Sequence, residues 1–271
     1  MTIEVNETSP PRTTPRRAPG AFVLGVLGVL IFLAAWELAS RLGLVPQTQV
    51  PPATVIIATL GQQLGTSAFW ISVGHTMSQW GIGLALSMLI SIPAGILLGS
   101  SELVWRSFRP LIEFFRTVPG NVLLPLAILL WGLSLNSAVF LIVFGCSWSL
   151  TIQTMYGARD VDEGARDTAR AFRFTTFEKV RWVTFPSALP HVATGLRIAS
   201  ATALIIAISA EILIGIDGLG KDIALARTAG DVNSMYALIL ASSFLGVGIH
   251  VVFSRIEKYL LRWHESQRSS E

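Results

Sequence analysis

The chain has 271 residues, of which 52% are hydrophobic and only 14% are charged, whereas about 25% of the residues of a soluble domain are charged. This composition, together with a positive mean hydropathy, excludes an ordinary soluble domain and indicates an integral membrane protein. The single cysteine, Cys146, excludes an intrachain disulfide and lies in an apolar run that argues against redox chemistry. The pI of 9.4 does not indicate nucleic-acid binding, because the basic residues cluster beside apolar runs, as membrane orientation requires.

The first forty residues contain a polar tail and one apolar run. Residues 1–20 are rich in Pro, Thr and Arg and too poor in apolar side chains to offset the entropy of ordering, so we expect a flexible cytosolic tail. Residues 21–40 are about as long as a bilayer core requires. No small-residue cleavage site closes this run, which predicts a retained first span.

A short surface helix is predicted between the first and second spans. Pro51 and Pro52 are followed by Val55, Ile56 and Leu60 at roughly helical spacing. Apolar residues at this spacing in an otherwise polar connection are typical of a helix that lies on a membrane surface, here the outer one.

The remaining apolar runs predict an all-α membrane protein with six spans, in a transmembrane domain over residues 21–263 and with a cytosolic tail over 264–271. The five further spans lie near residues 76–100, 114–133, 138–158, 191–216 and 235–254. Pro119 and Pro125 interrupt the third span, and the turn that follows it is very short.

The distribution of Lys and Arg predicts the orientation in the cell membrane. With the N-terminus inside, 17 of the 20 basic residues lie on the inner side. Only Arg41, Lys221 and Arg227 lie on the outer side. This excess is the positive-inside pattern, so we expect a multi-pass protein with both termini in the cytosol.

Residues 160–190, here named the charged loop, separate the fourth and fifth predicted spans. Asp160 precedes Glu163 by three residues, and Thr175 precedes Glu178 by three, so two helix-start signals of the capping-box type lie in this loop. The loop is therefore predicted to contain two short cytosolic helices.

The first of these helices is predicted to present a small apolar stripe to a partner. Ala165, Ala169 and Phe172 follow helical spacing, while the arginines between them fall on other faces. Pro186 and Pro190 are expected to end the second helix and to set the entry into span five.

The sequence of the charged loop resembles a known family. The order D-T-A-R at 167–170, a helix break, F-P-S-A-L-P at 185–190 and G-L-R at 195–197 is similar to the EAA loop of ATP-binding-cassette (ABC) importer permeases. The resemblance extends through FRTVPGNVLLPLAILLWGLS near 115–134 and GIDGLGKDI near 215–223. Its nearest form is the branch that imports nitrate, sulfonates, taurine and bicarbonate, with relatives for aromatic acids and vitamin precursors.

This resemblance implies a type I, MetI-like permease fold and a role in importing a small solute. It implies three partners in addition to the bilayer: a second permease copy, a cytosolic ATPase dimer that hydrolyses ATP, and an extracytoplasmic binding protein that delivers the solute. In the family, the EAA loop forms coupling helices that sit in a groove of the ATPase. The implied ATPase-coupling residues are Glu163, Ala165, Asp167, Thr168, Ala169, Phe172, Arg173, Pro186, Leu189 and Pro190.

The loop departs from the family pattern at three positions. Asp167 replaces the usual Glu, Thr168 replaces Ala, and Arg173 stands where a glycine is expected. A glycine would permit a sharp turn between the two helices. A solvated loop without a partner is the alternative interpretation of this segment.

Residues 215–221, GIDGLGK, match the spacing of a phosphate-binding P-loop. Asp222 follows where a Ser or Thr would bind magnesium, and no strand pattern precedes the motif. The predicted topology also places the segment outside the cell. We interpret it as an outer loop, as in the resembling family.

Several polar residues in the spans are candidates for a translocation pathway. Gly195, Thr202 and Ser209 recur every seven residues in span five, which suits either a pathway or close helix packing. Glu211 lies near the outer end of that span and is expected to bind a neighbouring span or to shape an outer gate. The other candidates are Trp131, Asn136 and Gln153.

An ion-gradient-driven transporter or channel and a membrane enzyme are two further classes of function, and the sequence supports each of them less well. An ion-gradient-driven transporter or channel usually has ionisable groups near the bilayer midplane, and no Asp, Glu, Lys or His lies at the centre of a predicted span. A membrane enzyme would need a catalytic motif or paired metal ligands, and the sequence contains neither. We therefore expect no catalytic site, no metal and no cofactor in this chain.

Overall fold

The computed structural model describes residues 20–261. The predicted tails lie outside these residues, except for Gly20, which begins the first helix. Within the described range the chain forms α-helices with short 3₁₀ and π segments and no strand, which confirms the all-α prediction. The helices are α1 (Gly20–Arg41), α2 (Ala53–Leu64), α3 (Ser67–Ser100), α4 (Glu102–Phe115), α5 (Leu124–Trp131), α6 (Leu135–Arg159), α7 (Glu163–Ala171), α8 (Thr176–Lys179), α9 (Phe185–Ile214), α10 (Leu219–Thr228) and α11 (Val232–Leu260).

The chain divides into two compact units at residues 55 and 56. In the first unit, the connection after α1 folds back onto the end of that helix. The Glu37 carboxylate accepts hydrogen bonds from Arg41 Nε at 2.6 Å and Thr54 Oγ1 at 2.8 Å. Trp36 and Ser40 donate to backbone carbonyls of the same connection. Glu37 therefore has a structural role, since it fixes where the chain leaves α1.

The core of the second unit lies where α6 packs between α3 and α9. Ala138, Ile142 and Cys146 on α6, and Ala203 and Ala207 on α9, are completely buried. Small side chains dominate this core, so the helix backbones approach closely, as is typical of helix packing in membranes.

Helix α3 faces α6 with a row of small residues at a spacing of four. The row consists of Gly83, Ser87, Ser91, Gly95 and Gly99. A Cβ atom on Gly95 would lie 2.5 Å from Thr154 Cβ and 2.7 Å from the Thr151 carbonyl oxygen. Since a backbone atom is one of these neighbours, only glycine permits this contact.

The predicted third span, 114–133, is not one straight helix. Helix α4 ends at Phe115, and a 3₁₀ turn and α5 follow after a bend of 81°. Pro119 has an extended backbone, and it disfavours helical geometry in the residue before it. Among the described helices, five are long and apolar enough to cross a membrane, or six if the bent pair is one span.

The expectation that Pro186 and Pro190 end the second loop helix is wrong. A π-helical segment, Val180–Thr184, joins α8 directly to α9, and Pro190 lies inside α9. Pro186 lies in the first turn of α9, directly after the π segment, where the change in hydrogen-bond register accommodates its missing N–H. Helix therefore continues from Thr176 to Ile214.

Gly95→Leu should disrupt the contact between α3 and α6. Overpacking of a core commonly costs about 1–3 kcal/mol, and the neighbouring carbonyl cannot move aside, so we expect the melting temperature in detergent to fall clearly. Gly81→Leu on the same helix is the matched control, because no atom lies within 4 Å of a Cβ at Gly81. Equal melting temperatures for the two variants would contradict the close packing.

Candidate functional site at the two ends of helix α9

The charged loop begins with a helix start that differs from the predicted one. Asp162, not Asp160, precedes α7, and its Oδ1 accepts a hydrogen bond from Ala165 N at 3.0 Å. Asp160 instead ends α6, with its backbone N–H bonded to the Tyr156 carbonyl. The predicted pairing of Asp160 with Glu163 is therefore wrong, because α6 continues through Arg159 and uses Asp160 as its C-cap.

The second predicted helix start is confirmed. Thr175 Oγ1 accepts from Glu178 N at 3.3 Å, and Glu178 Oε2 accepts from Thr175 N at 2.8 Å. This reciprocal capping box begins α8 and fixes the direction in which the chain re-enters the bundle.

Arg173 makes the turn between α7 and α8 despite having a side chain. Its φ is +52°, which makes it the one non-glycine residue with a positive φ in the range 20–261. Phe174 N donates to Ala169 O at 2.9 Å across this turn, as in a Schellman motif. The arginine thus adopts the left-handed conformation that a glycine would adopt more cheaply.

The predicted apolar stripe on α7 does not face outward as a whole. Ala169 is 3% exposed and packs against the chain itself, while Ala165 is half-buried. Phe172 is 73% exposed. Ala169 therefore does not face outward, because the turn at Arg173 folds that face of α7 inward, and its contact with a partner stays a prediction. The implied coupling residues Glu163, Asp167 and Thr168 are exposed, whereas Leu189 is partly buried in α9.

Aromatic side chains, including Phe172 of the stripe, form the exposed surface of the charged loop. Phe172 and Phe177 are each 73% exposed, and Trp182 is 63% exposed. Large apolar side chains clustered on an otherwise charged segment mark an interaction site. Asp167, at the position of the family's Glu, is also exposed and pairs with Arg170 at 3.1 Å.

The other end of α9 carries a buried carboxylate. Glu211 is completely buried, and its Oε2 accepts from Thr76 Oγ1 at 3.1 Å and from Gly220 N at 2.7 Å. Thr76 Oγ1 in turn accepts from Leu219 N at 2.9 Å. Glu211 therefore joins α9, α3 and the start of α10, which agrees with the expectation that it binds a neighbouring span.

The loop between α9 and α10 is shaped around this carboxylate. Gly218 has a φ of +153°, and a Cβ there would overlap the Glu211 carboxyl group. Gln79 Nε2 also binds the loop, through the Asp217 carbonyl at 2.8 Å. We name Thr76, Gln79, Glu211 and residues 215–220 the Glu211 network.

This arrangement excludes phosphate binding by GIDGLGK. Gly218 and Gly220 pack against the Glu211 carboxylate of the chain itself, and Lys221 Nζ donates to Asp217 Oδ1 at 2.7 Å. That hydrogen bond keeps the pKa of the Asp217 carboxyl below its usual value. The lysine that would bind phosphate is thus already paired with an anion.

The candidate pathway residues do not converge on one site. Gly195 is buried, and a Cβ there would lie 2.9 Å from Gln153 Cβ, so its role is helix packing. Thr202 and Ser209 are partly exposed. Trp131 ends α5 and Asn136 lies in the first turn of α6, and both are exposed. Asn136 is about 26 Å along α6 from Gln153 at 1.5 Å per residue.

Sequence reasoning missed Thr76 and Gln79. Both are buried polar residues in α3, three positions apart, and therefore lie on the same helix face. Polar residues at this spacing inside an apolar span are a recognisable signal of a polar contact between helices.

Comparison with known proteins identifies the family. Residues 91–263 match the family model of binding-protein-dependent transport system inner membrane components. The chain belongs to this family. The resemblance inferred from the charged loop is confirmed, and so is a multi-pass membrane location for this ABC importer permease.

Three curated relatives of the permease match most of its length. SsuC of Bacillus subtilis is 27% identical over 255 residues, covering 94% of this chain and 92% of SsuC. The bicarbonate transport system permease protein CmpB of Synechococcus elongatus is 26% identical, covering 92% and 91%. The formylaminopyrimidine transport permease protein ThiX of Halalkalibacterium halodurans is 29% identical, covering 88% and 94%.

Solved structures show the same fold. A chain of the MetNI methionine ABC transporter, in inward-facing conformations, has a TM-score of 0.64 and 20% identity, covering 71% of this permease and 96% of that chain. An amino acid ABC transporter has a TM-score of 0.59 and 18% identity, covering 75% and 97%. The expected MetI-like permease fold is thereby confirmed.

Arg173→Gly should stabilise the charged loop. The left-handed conformation costs an arginine about 1 kcal/mol that a glycine avoids, so amides 170–176 should exchange hydrogen more slowly. Arg170→Gly, inside α7, is the matched control and should cost about 1 kcal/mol of helix stability. Faster hydrogen exchange of amides 170–176 in Arg173→Gly would show that the left-handed backbone at Arg173 does not destabilise the loop.

Glu211→Ala should loosen the loop between α9 and α10. Gly220 N and the Thr76 hydroxyl would lose their acceptor, at about 1–3 kcal/mol for each buried unpaired group. We expect faster hydrogen exchange at Gly220 and a lower melting temperature in detergent. The control is Ser209→Ala, one half-turn away on α9, which should change neither the exchange at Gly220 nor the melting temperature. If Glu211→Ala also left the exchange at Gly220 unchanged, the hydrogen bonds of the network would be contradicted.

Proposed function

We propose that this permease works as a homodimer that takes a small solute from an extracytoplasmic binding protein and is driven by a separate cytosolic ATPase dimer. The exposed aromatic surface of the charged loop is the observation that carries the ATPase contact. Phe172, Phe177 and Trp182 lie on a segment too charged to enter the bilayer, so a protein partner is the natural cover for them.

The continuous helix from Thr176 to Ile214 supports a mechanism for energy coupling. ATP binding closes the ATPase dimer and displaces the charged loop. Because α8, the π segment and α9 form one helix, that displacement is carried to the Glu211 network at the far end. The hydrogen bonds that join Glu211 and residues 215–220 to Thr76 and Gln79 of α3 then break, and the spans open outward; hydrolysis resets them.

The charge distribution supports a cytosolic position for the charged loop and an outer position for the Glu211 network. Seventeen of the 20 basic residues would then lie inside. The same orientation places α10 and its connections on the side where a binding protein delivers solute.

For the solute, we propose a small anion. CmpB is named for bicarbonate, NrtB of Synechococcus elongatus for nitrate, and SsuC is provisionally named for aliphatic sulfonates. ThiX, named for formylaminopyrimidine, is the exception among these relatives. Isothermal titration of the binding protein of this transport system with nitrate, bicarbonate, taurine and a formylaminopyrimidine tests the class, and binding of the pyrimidine alone would overturn it.

An ion-gradient-driven mechanism is not favoured. The family and the relatives are permeases of binding-protein-dependent systems. The buried carboxylate of the fifth span, Glu211, binds a backbone N–H and a hydroxyl near the helix end, which gives it a structural task.

Phe172→Ala should weaken binding of the ATPase. Truncation of an aromatic residue at the centre of an interface commonly costs about 2 kcal/mol, or roughly thirtyfold in Kd. We expect this loss in detergent-solubilised permease, measured by titration with the ATPase of the same transport system. Tyr259→Ala, equally exposed at 71% on α11, is the control and should bind normally; equal affinity of Phe172→Ala would contradict the proposed surface.

Single-cysteine labelling tests the orientation. The native Cys146 is completely buried, so an introduced cysteine reports alone. In intact cells a membrane-impermeant maleimide should label Thr228→Cys but reach Arg170→Cys only after permeabilisation. The reverse pattern would place the charged loop outside.

A further inference from the structure

A cavity of about 330 Å³ lies where α7 packs over the start of α9. Asp160 and Asp162 line one side of it, and Pro186, Pro190 and His191 line the other. The Trp182 ring completes the wall. The cavity is thus formed at the joint between the charged loop and the helix that leads into the membrane.

The chemistry of this cavity fits a cation with an apolar stem. Asp160 forms no ion pair within residues 20–261, and Asp162 uses only Oδ1 to cap α7. His191 Nδ1 is buried and has no hydrogen-bond partner in the same range. Carboxylates bind guanidinium and ammonium groups strongly, and an indole face and proline rings suit the methylene stem of Arg or Lys.

The charged side chains that line the cavity, apart from His191, are acidic, and no described Arg or Lys lines it, whereas nearby positions of the charged loop carry exposed cations. Arg173, Lys179 and Arg181 are exposed, and none forms an ion pair in the described part of the chain. Arg181 instead lies 5.3 Å from the centroid of the Trp182 ring, which shows that this ring accepts a guanidinium on one face. A recess lined by two carboxylates favours a partner surface that bears a projecting basic side chain.

We infer that this cavity receives an Arg or Lys side chain of the ATPase. The inference rests on the proposed function, because it takes the ATPase as the partner of the charged loop. The cation would lie against Asp160, beside the exposed Trp182 ring. Its position at the start of α9 would let the ATPase hold that helix directly, in addition to covering the aromatic side chains.

Three substitutions at one position test this inference. Titration of solubilised permease with its ATPase should show affinity reduced about tenfold or more in Asp160→Lys, reduced less in Asp160→Asn, and nearly retained in Asp160→Glu. Glu113→Gln, which removes an exposed carboxylate from α4, should bind like the wild type. Replacement of one Arg or Lys of the ATPase by Glu should restore its binding to the Asp160→Lys permease.

The outcomes separate this inference from the proposed function. If wild-type permease binds the ATPase and Asp160→Lys binds it equally well, the cavity does not receive a cation, and the coupling role of the loop still stands. If no charge reversal on the ATPase restores binding to Asp160→Lys, the inference also fails. If the wild-type permease does not bind the ATPase at all, the proposed function and the inference both fail.

Discussion

The close packing of α6 between α3 and α9 is the constraint on which the rest of the structure depends. Glycine, serine and alanine fill these contacts, so helix backbones meet where larger side chains would hold them apart. In a bilayer, lipid tails compete equally for apolar side chains, and such shape matching supplies much of the helix association. Because the three helices fit so tightly, α9 cannot bend freely inside the bundle and is expected to move as one piece.

The two ends of α9 are fixed by different chemistry. At the end that carries the charged loop, caps at Asp162 and Thr175 and a left-handed Arg173 set two short helices, and large aromatic side chains are exposed. At the other end, the buried Glu211 carboxylate binds α3 and the start of α10 through hydrogen bonds. The exposed charged loop and the buried Glu211 network thus lie at opposite ends of one helix. A movement of the loop can therefore be transmitted along α9 to the network.

The long helices and the start of α8 were predictable from the sequence, because they depend on local or compositional signals. Apolar runs located the long helices, and the Thr175 and Glu178 pair located α8. The rest depends on tertiary contacts. Ala169 is buried because the chain turns at Arg173, and no helical spacing within α7 reports that turn. The π segment before Pro186 lets the helix continue through a proline, although a proline in a sequence usually predicts the end of a helix. The pairing of Glu211 with Thr76 joins residues 135 positions apart, which no local pattern reveals.

The central claim is that displacement of the charged loop is carried along α9 to the Glu211 network. Spin labels at Arg170→Cys and at Thr228→Cys, in the assembled transporter with its ATPase, measure this directly by electron–electron distances between the two permease copies. On binding of a non-hydrolysable ATP analogue, the account predicts a shorter Arg170 distance and a longer Thr228 distance. A change at Arg170 with an unaltered Thr228 distance would contradict it.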